Sequence, residues 1–240
     1  MIVDLSDPTR AVTPTLDGPV LAVLASAGVP MTVGDVASRT PRGSEIGIRR
    51  ALARLVEQGI VTATQMGRNR VHDLNRDHVA AQIAVLLAEL RPEVWRRLRS
   101  LIGSWNPRPA YACVFGSAAR GDGGIDSDID ILLVHAPFPG ERNPAQDADR
   151  LVDKVAGFAT TLVTTPLTSR QAQRWQRQVD DLRESVRAMT GNSAQIVEIS
   201  SIEWSREKRV GTKLFEEIER DAIELFRPGP LLYTRPPTDR

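Results

Sequence analysis

The apolar positions in the first third of the chain repeat at helical spacing three times and then give way to short, β-branched runs. Leu16, Val20, Leu21, Val23 and Leu24 predict a first helix closing near Ala27-Gly28, where glycine takes a left-handed conformation at low cost. Thr32-Val-Gly-Asp35 has capping-box spacing and predicts a second, very short helix through Ser38. After the turn Pro41-Arg-Gly-Ser44, Ser44 caps a third helix reaching Gln58. Ile48, Leu52, Leu55 and Val56 share one face of it, with Arg49, Arg50 and Arg54 on the flanks and far side. Ile60 to Gln65 and Arg70 to Asn75 predict two strands joined through Met66-Gly-Arg-Asn69, where Gly67 and Asn69 accept positive φ. Two connecting helices follow, one from Asp77 to Leu90 and one opened by Pro92 and bearing Trp95, Leu98, Leu101 and Ile102. Helices this apolar need a cover, from the domains on either side or from a second copy in a homodimer.

Past the proline-rich stretch Trp105-Asn-Pro-Arg-Pro109 the pattern turns to buried strands. Tyr111 to Phe115 runs directly into Gly116-Ser117, and ten residues later a second strand opens with Asp128-Ile-Asp130 and stays apolar to Val134. Gly191 to Ser200 is a later strand candidate. Asn143 to Thr161 and Thr168 to Met189 read as helices, the second with Trp175, Val179, Leu182 and Val186 on one stripe. Val210, Leu214, Ile218, Ala222 and Leu225 predict a last helix, and the proline-rich tail after Arg227 is expected to be loose.

Composition narrows the class. With 41% apolar and 25% charged residues, 17 glycines and 16 prolines among 240, the chain is an ordinary globular protein rather than a disordered or collagenous one. Acids occupy the start, MIVDLSDPTR, where a signal peptide carries bases, and no apolar run reaches the roughly 18 residues that span a bilayer. A cytoplasmic protein without a membrane partner is expected. Cys113 is the lone cysteine, and His72, His78 and His135 are scattered, which gives no disulfide and no zinc-type ligand set. The net charge of +1 hides a split: residues 1–108 hold fourteen arginines against ten acids, and the remainder seventeen bases against twenty. A basic front suits nucleic acid, although arginine in place of lysine is also a matter of genomic composition.

Three helices followed by a basic hairpin resemble a winged helix-turn-helix, and Leu55-Val-Glu-Gln-Gly-Ile-Val61 is similar to the end of that family's third helix. The resemblance implies a third helix in the major groove of double-stranded DNA, with Arg49, Arg50 and Arg54 toward the groove. Arg68 and Arg70 on the wing would contact phosphates in a salt-dependent way. The same layout also serves protein interaction, with the arginines as a solvated helix face.

The densest chemistry lies at residues 116–130. Residues two apart on a strand face one side, so Asp128 and Asp130 set two like charges together, an arrangement that calls for a cation between them. Gly116 lets backbone approach a ligand, and Ser117 offers a hydroxyl; both suit a triphosphate. Gly116-Ser-Ala-Ala-Arg-Gly-Asp122 with Ser127-Asp-Ile-Asp130 resembles the DNA polymerase β nucleotidyltransferase superfamily, especially its minimal bacterial members. Leu214 to Leu225 is similar to the last helix of those proteins, so the likeness runs from about 110 to 226.

That likeness implies NTP as substrate and two Mg²⁺ ions held by Asp128, Asp130 and a third carboxylate, with transfer of a nucleoside monophosphate and release of pyrophosphate. Ser117, with Gly116 and Arg120, would hold the terminal phosphates, although Arg120 is equally able to pair with Asp122 or Asp126. For the third acid, Gln195 stands nearest the family spacing, and Glu198, flanked by Val197 and Ile199, is the favoured candidate. The two cannot both face the metals, being three apart on a strand. The acceptor could be an RNA end, a small molecule or a protein hydroxyl; minimal relatives often modify a toxin encoded beside them.

The expected architecture is therefore α/β (α+β). A winged helix occupies 1–76, connecting helices 77–108, a nucleotidyltransferase fold with a small mixed sheet flanked by helices 109–228, and a flexible tail 229–240. The rival reading is a DNA-binding transcription regulator whose rear domain senses nucleotide without turnover.

Overall fold

The structure, a computed structural model, describes residues 2–124, 126–141 and 165–228; the helix expected over 143–161 and the tail 229–240 lie outside them. It is a mixed α/β chain that divides into two compact units. The first gathers the described residues up to Arg97 with Gly121–Ser127 and Met189–Asn192; the second holds Leu98–Arg120 and the remaining described residues.

In the first unit α1 (Asp17–Ala27), β1 (Met31–Thr32), α2 (Val33–Arg39), α3 (Glu45–Glu57), β2 (Val61–Met66) and β3 (Asn69–Leu74) follow in order. The three strands form an antiparallel sheet ordered β1-β3-β2, in which Val61 faces Leu74 and Met31 faces His72. Local signals place the helix ends. The Thr32 side chain accepts from the Asp35 amide while Asp35 accepts from the Thr32 amide, and Ser44 accepts from Gly47 at 3.2 Å. Val20, Leu24, Val36, Ile48 and Leu52 meet as the fully buried core, so truncating Leu52 to alanine should cost about 2–5 kcal/mol.

Where two connecting helices were expected, there is one. Helix α4 (Ala81–Gly103) runs through Pro92 without a break. Proline removes one backbone bond, a loss of about 3 kcal/mol. Buried Ala84 and Leu87 before it and Trp95, Leu98 and Ile102 after it outweigh that loss.

The second unit is built on a four-stranded sheet ordered β6-β5-β4-β7, from β4 (Tyr111–Phe115), β5 (Ile129–His135), β6 (Ala194–Ser200) and β7 (Ile223–Phe226). β4 is antiparallel to β5 and β7, while β5 and β6 run parallel. Cys113, Phe115, Leu132, Val134, Val197 and Ile199 face one side. There they pack against Trp204 of α7 (Ser201–Val210) and Leu214 and Ile218 of α8 (Lys213–Asp221). The other side meets α6 (Ser169–Thr190), whose Trp175 lies 5.5 Å from the His135 ring. The last helix ends earlier than its spacing predicts. Leu225 belongs to β7, because the backbone turns extended at Ala222 and the next residues pair with β4.

Candidate active site

The chain leaves β4 at Phe115, which pairs across the sheet with Asp130 of β5. The next residue must turn sharply beside that carboxylate, and Gly116 does so with φ +68°. A Cβ on Gly116 would come within 2.5 Å of Asp130 Oδ2. Glycine is thus required twice here, for its backbone angle and for the room it leaves the acid. Ser117 opens the short helix α5 (Gly116–Arg120) and is half-buried. Arg120, at its end, pairs with Asp221 of α8 at 3.3 Å.

The two acids differ in setting. Asp128 is exposed just before β5 begins, while Asp130 is half-buried. Burial, the Asp128 charge and the Glu217 charge all push the Asp130 carboxyl above the usual carboxylate range, and Arg120 opposes them. Like charges thus gather at Asp130 with only partial relief.

Glu217, on α8, is the site residue that sequence reasoning missed. It lies on a polar stripe of α8, beside Ile218, which packs on the Asp130 side of the sheet. Helical spacing alone does not distinguish it from Glu216 or Glu219.

The structure does not bring Glu198 to the pair. In the parallel register Asp130 stands beside Gln195, whereas Glu198 stands beside Leu133, about 10 Å further along the strand and on the opposite face. There its Oε2 accepts from Trp175 Nε1 at 2.8 Å, and Arg183 lies 3.9 Å away. The reason is a buried indole N–H that needs an acceptor: Trp175 is fully buried, and Glu198 meets that need.

Elsewhere, Arg49 and Arg50 are exposed on α3, and Arg68 and Arg70 are exposed on the β2–β3 hairpin. Arg49 pairs with Glu45 at 2.8 Å and remains 66% exposed. Arg54 pairs with Asp17 of α1 at 2.6 Å and remains 50% exposed. Cys113 is no candidate nucleophile, since burial pushes its thiol up to about 12.

A family profile described as nucleotidyltransferase domain matches residues 92–213, just over half of the chain. The chain belongs to that family. No curated protein matches it. The matched stretch of the nucleotidyltransferase domain contains the Gly116 corner, the acid pair and β6, and it ends just before Glu217.

Domains of this kind generally use NTP and divalent metals, and the donor chemistry here fits a hard cation. Asp128 and Asp130 offer carboxylate oxygens, and the like charge gathered at Asp130 is only partly relieved by Arg120. Among the described residues no group of three His, Cys, Asp or Glu side chains closes a cage. Mg²⁺ commonly binds with one or two carboxylates, waters and substrate phosphates, so a pair suffices for a cation that arrives with its nucleotide.

Proposed function

We propose that this nucleotidyltransferase transfers a nucleoside monophosphate from NTP to an acceptor oxygen. The new bond forms at the α-phosphorus as its bond to the departing pyrophosphate breaks. The observation that carries the reading is the approach of Gly116 to the Asp130 carboxylate at the end of paired strands, in a chain of this family. Asp128 and Asp130 are the residues to hold the cations, and Glu217 is the further acid whose charge reaches Asp130. When bound, two Mg²⁺ ions supply a lowered acceptor pKa and neutralise charge on the attacking and departing oxygens. Gly116 leaves the site open to the nucleotide, and the Ser117 hydroxyl is the group to meet its terminal phosphates. Arg120 steadies this corner through Asp221. Incubation with Mg²⁺ and α-labelled NTP should label an acceptor or the protein itself, and Asp130→Asn should stop it. Equal labelling by that variant would defeat the assignment.

The first unit is read as a winged helix that binds double-stranded DNA. The order helix, short strand, helix, helix, hairpin supports it, as do exposed Arg49 and Arg50 on the third helix and Arg68 and Arg70 on the hairpin. A homodimer is supported by Ile83 and Leu86 at the start of α4, which are exposed together with Val79 in the turn before it. Light scattering on Ile83→Glu against wild type tests it. The acceptor is a protein hydroxyl, an RNA end or a small molecule, and a cytoplasmic location is the reading that goes with these partners.

One observation favours a second reading, a DNA-binding regulator that senses NTP without turnover: Glu198 is held by Trp175 instead of joining the acids. In that case DNA binding depends on NTP and no pyrophosphate appears.

A further inference from the structure

Asp128 lies just outside the strand that carries Asp130, where no ladder bond of its own fixes it. The residues on either side of it are nevertheless tied to the turn before β6. The Ile129 amide donates to the Ser193 carbonyl at 2.9 Å. One step earlier, the Asn192 side-chain Nδ2 donates to the Ser127 carbonyl at 3.1 Å. The parallel β5–β6 ladder starts at Ile129 beside Ala194, so a side-chain amide extends it past its end and brackets Asp128 from both sides.

Asn192 is itself held in place. Only 2% of it is exposed, and its own amide donates to Thr190 Oγ1 at 3.1 Å. Its Oδ1 is buried with no hydrogen-bond partner among the described residues. A buried acceptor without a donor is costly, and an apolar side chain of similar size would avoid that cost. What such a side chain would lack is the bond to Ser127.

We infer that Asn192 is a positioning residue for the cation site: its side-chain amide fixes the Ser127–Asp128 peptide so that the Asp128 carboxylate is presented with Asp130. The inference rests on the nucleotidyltransferase reading above, because it needs the pair to bind a divalent cation. It differs from that reading in the residue and in the step that it governs. Partners that orient ligands commonly account for about 10–100-fold in metal affinity when removed.

The test is Mn²⁺ binding followed by electron paramagnetic resonance without nucleotide, on wild type, Asp130→Asn, Asn192→Ala and Asn192→Ser. Serine stays polar but is too short to reach Ser127. Wild type should bind Mn²⁺ and Asp130→Asn should lose it; absence of binding to wild type sinks the cation reading itself. Given binding, both Asn192 variants should raise the Kd about tenfold while melting cooperatively near the wild-type temperature, and exchange of the Ile129 amide should quicken. A wild-type Kd in both variants overturns the inference. So does loss of cooperative melting in both, which would make Asn192 a residue of the fold rather than of the site.

Discussion

Replacing Gly116 with alanine separates backbone strain from damage to the site. At φ +68° an added Cβ costs about 1–2 kcal/mol from backbone sterics alone. That strain should lower the melting temperature by a few degrees. The second effect is local. A Cβ 2.5 Å from Asp130 Oδ2 is well inside the 3.4 Å at which ordinary contact begins, so the carboxylate must retreat by about 1 Å. A 1 Å misplacement of a reacting or ligating group is worth about 10²-fold in rate. Gly211 provides the control: its φ is +67°, and an added Cβ there meets nothing within 4 Å. Gly211→Ala and Gly116→Ala should therefore lose similar stability in thermal melts. Only Gly116→Ala should lose about 100-fold in labelling from α-labelled NTP, with weaker Mn²⁺ binding. Wild-type labelling by Gly116→Ala, or an equal loss in Gly211→Ala, would refute the claim that this glycine makes room for the acid.

Three further outcomes follow from the same geometry. Glu198→Gln should label like wild type and lose about 1 kcal/mol or less, since the glutamine carbonyl still accepts from Trp175, whereas Glu217→Gln should weaken Mn²⁺ binding; the reverse ranking would restore Glu198 to the site. Because burial and neighbouring acids raise the Asp130 carboxyl in the folded protein, its contribution to stability is present in acid and lost as pH rises through the folded value. Asp130→Asn should accordingly melt higher than wild type at pH 7, with the gain closing below about pH 4, and a lower melting temperature at pH 7 would contradict the charge argument. Arg49→Glu with Arg50→Glu should weaken binding to duplex DNA and flatten its salt dependence by about one unit of slope for each phosphate left without its arginine; fluorescence anisotropy across a salt series, unchanged in the variant, would leave the first unit as a protein-interaction module.

Much of this is legible in the chain wherever a local rule decides. The capping box at Thr32 and Asp35 and the cap at Ser44 each rest on residues no more than three apart, and the structure forms both. The glycine after β4 is legible as a sharp turn, although its closeness to Asp130 needs the Phe115–Asp130 pairing. Tertiary context overrides the local rule at Pro92, where buried residues on both sides carry one helix through a residue that usually starts or stops one. It does so again at Leu225, whose helical spacing with Ile218 and Ala222 loses to a free edge of β4 that a strand can fill.

The third carboxylate shows where the residue pattern stops deciding. Gln195 and Glu198 both alternate with apolar neighbours, so the pattern within β6 allows either to face the acids but not both. Which one does so depends on the offset between β5 and β6, and the covering helices bias that offset. A slip of one residue would place Glu198 on the face of Asp130. It would also strip the Trp175 indole of its acceptor and turn Val197 and Ile199 away from Leu132 and Val134. Two partly buried aliphatic side chains, each worth a fraction of the about 1.5–3 kcal/mol of full burial, and one part-buried hydrogen bond at about 1 kcal/mol oppose that slip. The register that preserves this packing also holds Glu198 on the far side, so a further acid beside Asp128 and Asp130 would have to stand on the helix that covers the Asp130 face. Glu217 is the residue on that helix whose charge reaches Asp130.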